Sequence, residues 1–311
     1  MDSRKATWDG HAILILILAT ILTTIIVPYG FVSIIFSLTI ISYQILLRAI
    51  FTGPSKRSPP FSNDKWEIIR SSNNGNDIYG FINYQNTISD MVIFIHGWQS
   101  SSEKYTERMQ LFRERGFHTM AIDMRGHGMA PSTKEWTAGK VIQDIKIILE
   151  EIDRKSINKI HFYGHSLGGF ICIGMHNDRH DGWWKEKYGT LILESPMVAY
   201  SKILEMMSKR ISFMLPLLQK WAVKGFNKIH PEVGGLEWKD IDIPSWGLPK
   251  VPILLIQAKN DTKLGRYHYD LLMKQGLDIE PHLVESLPHS KNRNNSDRDE
   301  IMLRWIDKKM M

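Results

Sequence analysis

Apolar residues crowd the first fifty positions of this chain and then thin into short, spaced bursts. Ala12 to Val27 is a nearly unbroken series of Ile, Leu, Thr and Ala; Pro28-Tyr29-Gly30 interrupts it, and Phe31 to Leu47 is apolar again. A spanning helix needs roughly 17–25 residues at about 1.5 Å each. Each half is close to that length, and Pro-Tyr-Gly is turn chemistry. The pattern predicts a membrane segment over residues 1–51 holding two short transmembrane helices, about 12–27 and 31–51, paired as a hairpin. One long kinked helix is the alternative, because proline is tolerated in membrane helices. The run is too long for a signal peptide, and no small-x-small cleavage site follows it. Residues 52–64, with Gly53, Pro54, Pro59 and Pro60, read as a linker.

From residue 65 the pattern becomes one of strands alternating with amphipathic helices. Trp66–Arg70 and Ile78–Tyr84 flank the hairpin-like turn Asn73-Asn74-Gly75-Asn76. Short apolar runs bounded by turn residues follow: Met91–Ile95, Thr119–Ile122, Ile160–Tyr163, Leu191–Leu193, Ile253–Ile256 and His282–Val284. Such runs suit parallel strands buried on both faces. Val141, Ile145, Ile148 and Ile152 form a helical stripe between two of them, and Ser296-x-x-Asp299 reads as the capping box that opens the last helix. The expectation is an α/β domain over 65–311 with a mostly parallel, eight-stranded sheet and helices on both faces. One stretch, about 196–249, breaks the alternation. There Leu204, Met207, Ile211, Met214 and Leu218 sit at helical spacing amid Met and Trp residues, which reads as a helical cap inserted after the sixth strand.

Composition narrows the class. The 311 residues are 43% hydrophobic and 23% charged, which excludes a disordered, collagenous or coiled-coil chain. No Asp, Glu, Lys or Arg occurs from Gly10 to Leu47, and one Cys excludes an internal disulfide or a Cys-based zinc site. Half of the net charge of +6 flanks the apolar segment: Arg4, Lys5, Arg48, Lys56, Arg57 and Lys65 against Asp2, Asp9 and Asp64. Basic residues stand before and after the hairpin and none in its turn. Both ends, and the domain that follows, are therefore expected on the cytoplasmic side. The remaining charge is too dilute for a nucleic-acid footprint. The expected partners are the lipid bilayer and a small-molecule or lipid ester.

The chemistry starts at Gly164-His165-Ser166-Leu167-Gly168, a Gly-x-Ser-x-Gly between a strand and a helix. Such a turn exposes the Ser hydroxyl, needs small residues two before and two after it, and leaves the Leu167 N–H at a helix N-terminus facing a developing oxyanion. The second oxyanion donor is expected after the strand that ends in His96-Gly97, from the Trp98 N–H or else Gln99. A nucleophilic Ser needs a base, and the base needs an acid that orients it. Asp261 and His289 both fall at carboxyl ends of strands, where sites lie in open α/β sheets. Glu194 is the rival acid and His282 the rival base. His176 and His180, four apart, lack a third ligand of known spacing and read as part of an exposed polar helix end; Cys172 reads as a buried small hydrophobe.

Taken in order, His96-Gly97, Asp123-x-Arg125-Gly126-His127-Gly128, Gly164-x-Ser166-x-Gly168, Asp261 and His289 resemble the α/β-hydrolase family over roughly Trp66 to Met311. The Asp-x-Arg-Gly-His-Gly loop is similar to that of its monoacylglycerol-lipase-like and serine-aminopeptidase-like branch. The resemblance implies an α/β-hydrolase fold, a Ser166–His289–Asp261 triad with no metal or organic cofactor, and a structural role for the His127 loop. Two features depart from the pattern: Leu287-Pro288 stand where the family often has Gly two before its His, and the cap has no subfamily signature. A Ser at the elbow, where related dehalogenases and epoxide hydrolases carry Asp, points to acyl transfer to water through an acyl-enzyme. The expected activity is that of a membrane-anchored serine hydrolase of carboxylic esters, with an acyl lipid such as a monoacylglycerol or lysophospholipid as substrate. Amidase, peptidase, thioesterase or acyltransferase activity with the same triad, and a non-catalytic membrane-tethered binding module, are the alternatives.

Overall fold

The computed structural model describes residues 7–230 and 235–311. Arg4 and Lys5, the basic pair at the start of the membrane segment, lie outside the described residues. Eight strands, β1 (Glu67–Asn73), β2 (Asn76–Asn83), β3 (Ser89–Ile95), β4 (His118–Asp123), β5 (Ile157–His165), β6 (Tyr188–Glu194), β7 (Ile253–Ala258) and β8 (Ile279–Val284), form one sheet in the order β1-β2-β4-β3-β5-β6-β7-β8. Within this sheet β1–β2 and β2–β4 pair antiparallel and the other neighbours pair parallel. The first hairpin turns through Asn74 and Gly75, both at positive φ (50° and 78°), a conformation that Asn and Gly tolerate. The central strands are Val, Ile, Leu and Phe on both faces because helices cover both. On one side α4 (Ala138–Glu151) buries Val141, Ile145 and Ile148, and α5 (Leu167–Met175) is buried along its whole length. On the other, α3 (Thr106–Arg113) and α9 (Ser296–Trp305) bury Met109, Phe112, Met302 and Trp305. A short helix, α8 (Tyr267–Met273), joins β7 to β8. The cap of α9 lies one residue before the sequence signal: Asn295, not Ser296, accepts the Arg298 N–H at 2.9 Å.

The apolar N-terminus forms two helices, α1 (Gly10–Ile26) and α2 (Val32–Phe51). They fold back on each other: the Trp8 N–H donates to Gln44 Oε1 at 2.7 Å, and Thr20 and Ser37 hydroxyls meet at 2.5 Å. Gly30 is required at the turn, since a Cβ there would meet the Thr23 carbonyl oxygen at 2.1 Å. By length and composition α2 could cross a membrane, whereas α1 is shorter. The base of α2 is not free. Leu47, Ile50 and Phe51 pack against the cap helix α7 (Leu215–Ile229), with Phe51 edge-on to Phe226 at 4.8 Å and Tyr43 edge-on to Trp221 at 5.3 Å.

Two further features add to the sequence expectation. The stretch 52–64 has no regular element, yet it is pinned as a strap: Gly53 N–H reaches the Thr133 carbonyl at 3.1 Å, Arg57 donates to the Gly128 and Ala130 carbonyls, and Phe61 is buried on Trp66 and Phe81. The apolar stripe of the cap does not run along one helix. A 3₁₀ segment with non-helical Ile211 separates α6 (Tyr200–Met207) from α7, so Leu204 and Leu218 are buried while Met207, Ile211 and Phe213 are exposed.

Candidate active site

β5 runs straight into α5 through Ser166, whose backbone (φ 52°, ψ −118°) lies outside the regions most residues occupy. The neighbouring glycines permit this. A Cβ on Gly164 would meet Gly169 Cα at 2.7 Å, and one on Gly168 would meet the Ile95 carbonyl oxygen at 2.0 Å. Backbone stands in the way at both positions, so Gly168→Ala is expected to cost at least the roughly 1–3 kcal/mol of overpacking. Thermal unfolding of that variant checks this. Leu167 opens α5, so its N–H belongs to the first turn and has no partner within the helix.

The loops after β7 and β8 bring two more side chains to the elbow. His289 Nε2 lies 3.1 Å from Ser166 Oγ, and its Nδ1–H donates to Asp261 Oδ2 at 2.8 Å. Burial alone would raise the Asp261 carboxyl. The hydrogen bond from His289 and the backbone N–H groups of Leu264 (2.9 Å) and Lys263 (2.8 Å) outweigh it and hold the group below the usual carboxylate range. The rivals are elsewhere. His282 pairs with Glu280 on the surface of β8 at 3.2 Å.

Glu194 sits behind His289, fully buried, in a cluster that sequence reasoning missed. Arg108 Nη2 reaches it at 3.3 Å and Arg298 Nη1 lies 3.7 Å away, while the Tyr163 hydroxyl and the Asn292 side-chain amide also donate to it. Both guanidinium groups donate in addition to the Asn292 carbonyl. Burial pushes the Glu194 carboxyl up, but Arg108, His165, Arg298 and Tyr163 together hold it below its ordinary value. The cluster therefore staples the segment His289–Asn292 to the sheet. The one local signal was Arg108 lying between Tyr105, Met109 and Phe112, on what reads as the buried side of its helix.

The loop after β3 closes the opposite side. A Cβ on Gly97 would stand 3.2 Å from Ser166 Cβ, so this loop passes directly beside Ser166 and places the following residue, Trp98, at the rim of the site. Gln99 takes positive φ (59°), and its carbonyl accepts the Ser58 hydroxyl from the strap at 2.7 Å. The Trp98 ring is partly exposed and packs edge-on to Trp136 (4.9 Å) and His127 (5.2 Å). Beneath it the Asp123–Gly128 loop is held by Asp123, which accepts the Ser102 and Met129 N–H groups at 2.8 Å, and by a bidentate Arg125–Asp144 pair. The mouth of the site, about 320 Å³, carries Lys104, Lys263 and Lys291 and, among its described lining residues, no carboxylate.

Several histidines near the site are buried and neutral. Desolvation leads in lowering His96 to about 4, His127 to about 3 and His165 to about 4. Their folded values lie below the unfolded value of about 6.5. Their contribution to stability is thus fully present above about pH 6.5 and is lost progressively as pH falls toward the folded values. We expect the unfolding free energy to drop as pH falls from 6.5 to 4.5, by up to about 1.4 kcal/mol per pH unit for each such ring. Denaturant titrations across that range measure it. His176 differs from its sequence reading: it caps α5 inside the protein, its ring against Tyr188 at 4.3 Å, whereas His180 is half-buried at a separate cavity. Cys172 is buried, and burial raises its thiol well above the ordinary value. Among the described residues no group of three or more His, Cys, Asp or Glu could hold a metal ion.

Comparison with known proteins places this arrangement. A family model described as "Serine aminopeptidase, S33" matches residues 87–245, just over half of the chain. A putative non-heme haloperoxidase of Mycobacterium phage D29 is 32% identical over 83 residues, 26% of this chain and 29% of the relative. The chain spans less than half the length of the curated relatives it matches. Among solved structures, an esterase of Pyrococcus furiosus superposes with a TM-score of 0.57 at 15% identity, covering 84% of this chain and 98% of that one. Est1E of Butyrivibrio proteoclasticus, solved with ferulic acid, superposes at 0.58 and 15% identity over 78% and 99%. At such identities the likeness is one of fold.

Proposed function

This chain belongs to the S33 serine aminopeptidase family of α/β hydrolases, and from that premise we propose that it is a membrane-anchored serine hydrolase of carboxylic esters. The observation that carries the proposal is the hydrogen-bonded line from Ser166 Oγ through His289 to Asp261. In the proposed reaction His289 Nε2 takes the Ser166 proton as Oγ bonds to the acyl carbon. The Leu167 and Trp98 N–H groups receive the oxyanion, and His289 returns the proton to the departing alcohol. Water then enters by the reverse sequence and frees the acid from Ser166. Asp261 fixes the tautomer of His289 and stabilises its charged form.

Substrate class follows from charge and location. An aminopeptidase would need an acid to receive the substrate's ammonium group, and the mouth of this site instead presents three lysines. An acyl ester carrying a negative charge, such as a lysophospholipid, fits better than a peptide N-terminus or a neutral monoacylglycerol. The membrane reading rests on the apolar outer face of the α1–α2 hairpin, Leu14, Ile15, Leu18, Leu22 and Ile25 among it, and on exposed Met207, Ile211 and Phe213 of the cap. Trp8, at the start of α1, lies beside Gln44 and Arg48 near the base of α2, and that base packs on the cap; this supports a domain on the same side of the bilayer as both hairpin ends, the cytoplasmic side by the charge rule.

Assaying purified full-length protein against lysophosphatidic acid, monoacylglycerol and aminoacyl nitroanilides tests the reading. We expect the rate to rank in that order and Lys263→Glu to lower the first by about tenfold. Fastest turnover of the nitroanilide would instead favour a peptidase. Because the base of α2 is part of the cap, removing residues 1–39 is expected to release an active domain from membranes. Removing residues 1–52 uncovers Ala222 and Phe226 and is expected to lower the unfolding temperature by several degrees, since each kcal/mol lost is worth about 2–4 °C in a domain of this size.

A further inference from the structure

A second cavity, about 260 Å³, lies under the cap and shares no lining residue with the mouth around Ser166. The edge-to-face pair of Trp98 and Trp136 stands between the two. One end is a run of rings: Phe226, Tyr200, Phe170 and Trp246 follow one another with centroids 6.0, 6.3 and 4.4 Å apart. Ile50, from the last turn of α2, completes that end, so the helix that could cross the bilayer forms part of the cavity wall.

The other end, between α4 and the residues after α5, is basic. Lys146, Arg179 and His180 line it. Among the described residues neither Lys146 nor Arg179 makes an ion pair, and the described lining holds no carboxylate. His180 reports the local field: burial first, then the charges of Lys146, Arg179, His230 and Lys185, push its ring down to about 4. Positive charge is concentrated here at the edge of an aromatic pocket; Asp181, the acid whose field reaches Lys146, is exposed and already paired with Lys185 at 3.0 Å.

We infer that this cavity is a binding site, separate from the catalytic cleft, for a single-chain amphiphile with an anionic head, of the fatty-carboxylate class. The chain lies against the ring wall beside Ile50, and the carboxylate meets Lys146 and Arg179. The volume falls slightly below the roughly 300 Å³ at which ligand pockets usually begin, which suits one alkyl chain and excludes a two-chain lipid. A neutral amphiphile of the same length would leave the basic end uncompensated, so the head charge decides the specificity. The inference does not depend on Ser166 acting as a nucleophile.

The test uses the full chain in phosphatidylcholine nanodiscs and a diazirine-bearing dodecanoate, with crosslinks mapped by mass spectrometry. We expect saturable labelling of peptides carrying Tyr200, Phe226 or Trp246. Unlabelled dodecanoate should compete roughly tenfold better than dodecanol, as loss of one charge-assisted contact implies. The Lys146→Gln/Arg179→Gln double variant should lose that preference, and labelling should persist in Ser166→Ala. Both substituted side chains sit at the protein surface or half-buried, and circular dichroism establishes that the variant is folded. Phe226→Trp, which fills the ring end, should reduce labelling independently of charge. Labelling centred on peptides of the Ser166 cleft, equal competition by dodecanol, unchanged preference in the double variant, or no saturable labelling would each overturn the inference. Loss of esterase activity in Ser166→Ala with labelling retained would separate this site from the catalytic one.

Discussion

Ser166→Ala is expected to lower kcat for ester hydrolysis by about 10⁴–10⁶, leaving only the residue of catalysis that binding and the oxyanion donors supply. No other hydroxyl can replace it: the elbow backbone projects this one side chain to within 3.1 Å of His289 Nε2. Asp261→Asn should cost nearly as much, about 10⁴, for a different reason. An amide in place of the carboxylate can present its NH₂ to His289 Nδ1, which selects the tautomer whose Nε2 carries the proton and cannot accept from Ser166. The folded protein should barely register the change at Ser166, because the part-buried hydroxyl gives up one hydrogen bond, that with His289, worth about 1 kcal/mol. Steady-state hydrolysis of a short p-nitrophenyl ester, with unfolding temperatures measured alongside, checks both.

Glu194→Gln is the second large effect, and it falls on stability first. Arg108 and Arg298 are both buried, and the carboxylate is the charge they share. Neutralising one partner of a buried ion cluster typically costs about 3–5 kcal/mol, because the remaining charges are left in a medium that solvates them poorly. For a domain of this size that is on the order of 10 °C in Tm. Activity should fall with it. The same guanidinium groups hold the Asn292 carbonyl, and the His165 ring meets the His289 carbonyl at 2.9 Å, so loosening the cluster loosens His289. The sign with pH follows from the depressed acidity of Glu194. Its stabilisation is present above the ordinary carboxylate value, about 4.3, and is lost as pH falls through its lower folded value. The wild type should therefore lose more stability than Glu194→Gln on strong acidification. Differential scanning calorimetry of both proteins at pH 7 and pH 3 measures the difference.

What could be read from the chain and what could not divide along a physical line. The elbow was legible because Gly164 and Gly168 answer to hard sterics: side chains there would meet backbone at 2.7 and 2.0 Å. The sheet was legible because strands buried on both faces must be continuously apolar, as Ile253–Ala258 is. The Glu194 cluster was not, because Arg108, Glu194 and Arg298 lie on three separate elements, and charged residues ordinarily mark a surface. Glu194 could be named only as a rival to Asp261; its two guanidinium partners show why it serves a different end. The segment 52–64 read as a linker, and its being pinned could not be read because proline and glycine mark free and pinned irregular segments alike; only tertiary contacts such as Arg57 to Gly128 tell them apart. The cap misled in one respect. Leu204 to Leu218 sit at helical spacing, whereas a break at Ile211 divides them between two helices and leaves Met207 and Ile211 exposed.

The reading of this protein as a serine hydrolase stands or falls on whether Ser166 is an activated nucleophile. Membranes carrying the full chain, treated with a fluorophosphonate probe and digested, give the answer by mass spectrometry. We expect the phosphonyl adduct on the peptide containing Ser166, absent from Ser166→Ala and strongly reduced in His289→Ala. A folded, membrane-bound wild type that takes no label, or one labelled at another residue, would contradict that reading.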